Sequence, residues 1–207
     1  MLISFVSLVK KYNLKKKIRG IIHIGAHECE EKKDYEKFGF NNVYWVEGIK
    51  FKVDNMKNKY KNIKIYNCVV SDTDGEEVIL NISNNYQSSS ILQLGTHKEK
   101  HPTVHYIGEE KHTTKKMSTL IEEEKIDMGN VNFLNIDIQG VELKALKGFG
   151  DYLNKIDYIY TEVNVEYLYV DCCLMNEIDE YLSGFGFKRI QTEMTDCGWG
   201  DAFYVRA

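Results

Sequence analysis

A single proline in 207 residues leaves no room for a proline-rich spacer, and the chain carries neither a low-complexity tract nor an internal repeat. No apolar run approaches the roughly 20 residues needed to cross a bilayer. The opening stretch, MLISFVSLVKKYNLKKKIRG, puts its apolar part ahead of its lysines, the reverse of a secretory leader. It reads instead as an amphipathic helix lying against the domain edge, with Leu2, Phe5, Val6 and Val9 as its stripe; attachment to a membrane surface is the other reading. A large excess of one charge is also missing. With 27 Lys and Arg against 31 Asp and Glu, the formal charge of −4 provides no bulk field to recruit nucleic acid. Disulfide spacing is absent too: the 5 cysteines are odd in number and form no CxxC pair, and Cys172 and Cys173 are too close for an ordinary bridge. Reduced thiols and a cytoplasmic setting are the expectation.

What is present suits one core. Hydrophobic residues make up 43% of the chain and aromatics 12%, so residues 1–207 are expected to form a single domain, with 1–19 as a helical extension. Apolar runs that read as strands lie at Gly20 to Ile24, Asn42 to Glu47, Ile63 to Val70, Val131 to Asp137, Tyr158 to Val163, Phe187 to Thr192 and Ala202 to Val205. Helical segments, ECEEKKDYEKFGF and IKFKVDNMKNKYKN among them, alternate with the first four. That alternation predicts an α/β chain with a mostly parallel sheet covered on both faces. The middle, Ser71 to Met117, breaks the rhythm. EEVILNI is read there as an added strand after the Asp74-Gly75 turn, and the remainder as a long polar loop, of the kind that carries function or folds over a ligand. STLIEEEK then reads as a helix capped by Ser118.

The chemistry begins at GIIHIGAHECEE. In an open parallel sheet the ligand sits beyond the carboxyl ends of the strands, and this strand ends in one glycine, Gly25, followed by Ala26 and His27. A pyrophosphate loop needs further glycines, as in GxGxxG, and a phosphate here would also meet Glu28, Glu30 and Glu31. The loop suits an adenosyl ligand without phosphates, with a cationic centre and a carboxylate for the helix N-terminus. The second strand, VYWVEG, ends in Glu47, which can accept both hydroxyl protons of a ribose. The third ends in Ser71 and Asp72, placed for adenine. The fourth ends in Asp137, followed by Gln139, Gly140 and Glu142.

These segments, with YQSSSIL and above all VNFLNIDIQGVELKALKG, resemble the FkbM family of S-adenosylmethionine-dependent methyltransferases over roughly Gly20 to Gly148. The resemblance implies a Rossmann-like class I fold with an antiparallel strand near the C-terminus, S-adenosylmethionine as cofactor, and methyl transfer to a hydroxyl of a sugar or other small acceptor. It places the cofactor against His23, Gly25, Ala26, His27, Glu47, Ser71, Asp72, Ser89 and Asp137, and makes Asp137 and Glu162 the catalytic acids. Two departures stand out: His27 and Cys29 replace the family's Asn and Gly, and Gln139 replaces an acid, which removes one ligand for a divalent ion. His97, His101 and His105 have helical metal spacing, but Pro102 interrupts it. Tyr160, Tyr167, Tyr169, Trp199 and Phe203 offer aromatic area for a sugar face or for the core. A methyltransferase for another hydroxylated or amino metabolite, a non-catalytic adenosyl-binding module and a nicotinamide-dependent oxidoreductase are the competing readings.

Overall fold

Runs such as IIHI and FLNI are mostly apolar, only four residues long and buried at every position, as central strands covered on both faces are. The computed structural model describes residues 2–207; Met1, the first residue of the expected extension, lies outside them. Ten strands follow in chain order: β1 (Ile21–Ile24), β2 (Val43–Glu47), β3 (Ile65–Asn67), β4 (Val69–Val70), β5 (Glu77–Ser83), β6 (Tyr106–Lys115), β7 (Phe133–Ile136), β8 (Tyr158–Asn164), β9 (Phe187–Met194) and β10 (Trp199–Arg206). The α-helices are α1 (Phe5–Lys11), α2 (Lys32–Lys37), α3 (Lys50–Lys59), α4 (His97–Lys100), α5 (Met117–Glu123), α6 (Glu142–Gly148) and α7 (Met175–Ser183).

Seven strands form one sheet in the order β3-β2-β1-β7-β8-β10-β9. The pairs from β3 to β8 are parallel, and β10 runs antiparallel to both neighbours, the arrangement the resemblance implies. The chain winds outward from β1 to β3 and then restarts on the other side at β7, so a crevice opens between the carboxyl ends of β1 and β7. Ile21 faces Phe133 and Ile24 faces Ile136 in that pairing. Both faces are covered. Ile22, Ile24, Leu134 and Ile136 pack towards Leu146 and Phe149, while Ile21, Trp45, Phe133 and Tyr160 pack on the other side. Each such side chain contributes about 1.5–3 kcal/mol on full burial.

The second core receives the N-terminal segment. Ile3, Phe5, Leu8 and Val9 are buried in it, and Phe5 meets Tyr35 edge-on at 4.7 Å. The stripe therefore runs through Ile3 and Leu8 rather than Leu2 and Val6, which are only half-buried. The buried Asp201 carboxylate on β10 accepts hydrogen bonds from the Leu2 and Ile3 backbone N–H groups. No helix among the described residues is long and apolar enough to cross a membrane.

Three further elements differ from their sequence reading. The expected strand Ile63 to Val70 is two strands in two sheets, since β4 leaves β3 to pair with β6. The polar stretch read as loop contains β6, ten residues that pair with β5 and, at Thr114 and Lys115, with β4, and that lie largely in solvent. Ser118 does not cap α5; Asp74 does, its carboxylate accepting from Lys116 N–H at 2.8 Å and from the Thr119 hydroxyl at 2.8 Å.

Candidate functional site

After β1 the backbone turns sharply. Gly25 has φ +86°, and its N–H and that of Ala26 both reach Val46 O, at 2.9 and 3.0 Å. A Cβ at Gly25 would fall 1.8 Å from Asp137 O, so β1 and β7 approach here as only glycine allows. His27 and Cys29 also sit at positive φ, at 44° and 54°, where side chains are uncommon. The loop does not become a helix at once. Residues 28–31 form a turn and α2 begins at Lys32, so Glu30 and Glu31 line the cleft in place of the helix N-terminus expected for the ligand carboxylate.

Glu47 closes this loop onto β2. Its Oε2 accepts from His27 N–H and its Oε1 from Ile49 N–H, both at 2.7 Å. Only 7% of the residue is exposed, and burial raises its carboxyl above the usual range, partly offset by those two donors. Each oxygen keeps a second lone pair for another donor. His27 in turn pairs through Nδ1 with Glu30 at 2.6 Å. Burial pushes the Glu30 carboxyl up, but the His27 ring and nearby backbone N–H groups outweigh it and hold it at about 2. His27 Nε2 is buried without a partner. Replacing Glu47 by alanine strands two buried N–H groups, each costing about 1–3 kcal/mol. Calorimetry is expected to show adenosyl-ligand affinity falling by roughly tenfold or more.

The other side of the crevice is acidic. Asp137 follows β7, and Gln139, at φ +58°, donates from Nε2 to Asp137 Oδ1 at 2.7 Å and to Glu162 Oε2 at 2.9 Å. Its Oε1 accepts from the Tyr169 hydroxyl at 2.7 Å. Glu142, wholly buried at the start of α6, accepts from Ile138 and Gly140 N–H and so fixes the backbone that presents Gln139. Burial raises Glu142 to about 7 against three backbone donors that lower it. Glu162 too is raised well above the usual range, by burial first and then by the charges of Asp137 and Glu142. Both groups hold protons in the folded chain that the unfolded chain releases. For Glu142 the resulting contribution to stability is complete below about 4.5 and is lost as the pH rises through about 7, and for Glu162, raised as well, it is complete below the same pH and is lost above it. Thermal unfolding followed from pH 5 to pH 8 is expected to fall less steeply in Glu162→Gln than in the wild type.

These groups line one cleft of about 410 Å³. His23, Gly25, His27 and Glu47 stand along one side, with Asp137 and Glu162 beside them. Ile49, Val69, Val70 and Leu80 give an apolar wall, and the Tyr86–Ser89 turn borders the opening. Of the remaining expected contacts, Ala26 is buried behind the loop, and Ser71 and Asp72 do not line the cleft; Cys68, Val69 and Val70 do so in their stead. The Ser71 hydroxyl turns to Asp72 at 3.2 Å. Ser89 lines the cleft, but its hydroxyl bonds Tyr86 O at 2.8 Å within its own turn. The His23 ring is held beneath the cleft, 3.0 Å from the Tyr35 hydroxyl and stacked on Trp45 at 4.8 Å, where burial keeps it neutral.

At the far end sequence reasoning named Tyr169 and Trp199 but missed the placement of His97 beside them. The inserted segment folds back so that Gly95 and His97 N–H both bond Leu168 O, at 2.7 and 3.1 Å, which sets His97 beside Tyr169. Trp199 lines the same end, whereas Tyr160 and Phe203 belong to the core and Tyr167 is 55% exposed. The His97, His101 and His105 run is one helical turn and then loop, and no group of three or more His, Cys, Asp or Glu among the described residues is disposed to hold a metal ion.

The profile of the methyltransferase FkbM domain matches residues 23–189. No curated protein matches the chain by sequence. Among solved structures, the ribosomal protein L11 methylase of Lactobacillus delbrueckii subsp. bulgaricus aligns with 97% of this chain and 77% of its own, at 9% identity and a TM-score of 0.53, a likeness of fold. A SAM dependent methyltransferase from Aquifex aeolicus aligns with 97% of this chain and 88% of its own, at 11% identity and a TM-score of 0.49.

Proposed function

Because the chain belongs to the FkbM family of S-adenosylmethionine-dependent methyltransferases, we propose that it methylates a hydroxyl oxygen of a sugar or glycan. The observation that carries this reading is the placement of Asp137. Its Oδ1 is engaged by Gln139, while Oδ2 takes no hydrogen bond from the described residues and stands at the cleft, free to receive a proton.

The cleft fits the cofactor on three counts. Gly25 lets the ends of β1 and β7 close up so that Asp137 stands beside the β1 loop, Glu47 has lone pairs for a ribose diol, and the unpartnered His27 Nε2 is available to a polar group. The apolar wall of Ile49, Val69 and Leu80 suits an adenine ring, and the acids suit a sulfonium. When bound, S-adenosylmethionine supplies a methyl group on cationic sulfur, ready for displacement. The chain's own tasks are alignment, exclusion of water and management of one proton. Asp137 Oδ2 accepts the proton of the attacking hydroxyl, since a sugar alcohol is a poor nucleophile near neutral pH. Glu162, kept protonated by burial, adds no second negative charge and serves as a hydrogen-bond partner. The Gln139 amide holds the two carboxyl groups apart and in register. The 5 free thiols fit a reducing, cytoplasmic setting.

Transfer of labelled methyl to a panel of neutral oligosaccharides and glycosides, with product analysis of the methylated atom, tests the reading. Activity is expected to persist in a chelator, because an amide donor already occupies the space between Asp137 and Glu162. Label found only on nitrogen, or no label with S-adenosylmethionine bound, would displace the hydroxyl assignment in favour of an amine acceptor or a binding module.

A further inference from the structure

The cleft as a whole has an unusual charge pattern. Glu30, Glu31, Glu47, Asp137 and Glu162 line the cavity, and no lysine or arginine does. The nearby cations are committed elsewhere: Lys52 pairs with Glu28 at 2.6 Å and Lys100 with Glu166 at 3.4 Å. A phosphate or carboxylate brought here meets the Asp137 carboxylate with no lysine or arginine beside it, in a partly enclosed space where such repulsion is weakly screened.

A hydrogen-bonded path leads from Asp137 to the acceptor end through Gln139 and the Tyr169 hydroxyl. Beyond Tyr169 lies His97, its ring centroid 5.3 Å from that of Tyr169 and 4.8 Å from that of His101. His97 lines the cavity, is only 6% exposed, and has Nδ1 buried with no hydrogen-bond partner. Burial first, and the neighbouring His101 second, lower it to about 4, so the ring is neutral at physiological pH. A neutral imidazole nitrogen bonds a hydroxyl well, because a hydroxyl both donates and accepts and matches either tautomer.

We propose that His97 Nδ1 binds the acceptor, and that this end of the cleft, walled by Tyr169 and Trp199, takes an electrically neutral hydroxylated ring and rejects phosphorylated forms of the same compound. The inference rests on the methyl-transfer reading above and narrows its substrate class. A ring with an apolar face and several hydroxyls suits the aromatic wall and the imidazole together. Nucleotide-linked and phosphorylated sugars are excluded by charge, so methylation falls on free or glycosidically linked sugars.

The test compares kcat/KM for labelled-methyl transfer to a methyl hexoside and to the same hexoside bearing a 6-phosphate, with S-adenosylmethionine affinity measured by calorimetry on the same preparations. The neutral member is expected to be better by about tenfold or more. His97→Ala is expected to raise KM for the neutral acceptor about fivefold or more while leaving cofactor affinity unchanged, and His97→Asn to recover part of the loss. Equal or better transfer to the phosphorylated member would overturn the charge exclusion and leave the hydroxyl reading standing. Transfer to neither member would remove both. An unaltered KM in a folded His97→Ala protein, or a KM in His97→Asn no better than in His97→Ala, would remove the His97 hydrogen bond from the site.

Discussion

Gly25→Ala is expected to lower the melting temperature by roughly 10 °C and to abolish measurable binding of S-adenosylmethionine. The added Cβ would lie 1.8 Å from the carbonyl oxygen of Asp137 and 2.8 Å from its carbon. Both are main-chain atoms of a central strand end, which no rotamer change can move aside. The φ of +86° adds a further penalty of about 1–2 kcal/mol for any L side chain. Overpacking costs about 1–3 kcal/mol more, and at roughly 2–4 °C per kcal/mol for a domain of this size the shift follows. The loss of binding has a separate cause. Relief of the clash requires β1 and β7 to part, which moves Asp137 away from His27 and Glu47. Gly39→Ala is the matched control, since Gly39 has φ +84° and open space around its Cβ position, so it incurs the backbone cost alone. Equal melting temperatures for the two variants would refute the close approach.

Asp137→Asn is expected to reduce the rate of methyl transfer by about 10²- to 10⁴-fold, the usual worth of a positioned general base. Asparagine keeps the shape and still offers an oxygen to Gln139 Nε2, but it cannot take a proton near neutral pH. Cofactor affinity measured by calorimetry is expected to stay within about threefold, since Glu47 and the β1 loop are untouched. The signature is therefore a fall in kcat at nearly constant cofactor Kd. A variant with normal kcat and a raised acceptor KM would instead make Asp137 an orienting group.

The sheet and the donor side of the cleft were legible because their determinants are local. IIHIG, VYWVE and NFLNID each announce a buried strand and its carboxyl end, and the parallel pairing of those ends puts Gly25, Glu47 and Asp137 together without further information. The apolar wall of the cleft was not legible. Ser71 and Asp72 follow the strand signal in sequence, but β4 breaks from β3 and swings into the second sheet, so the cleft sees Cys68, Val69 and Val70. The polar alternation of YIGEEKHTTK concealed β6, since a strand with one face in water carries little hydrophobic signal. The His97 and Tyr169 contact joins residues 72 positions apart, and depends on main-chain bonds from Gly95 and His97 to Leu168 that leave no periodic trace. Asp74 capping α5 across 42 residues escaped for the same reason.

The excursion between β4 and α5 supplies the Tyr86–Ser89 turn and His97, whereas Gly25, Glu47 and Asp137 come from the sheet itself. The two parts of the cleft lining thus reside in separate stretches of one polypeptide. Exchanging the 84–105 stretch for that of a related chain is therefore expected to reshape the His97 end of the cleft while the strand ends bearing Gly25, Glu47 and Asp137 stay in place.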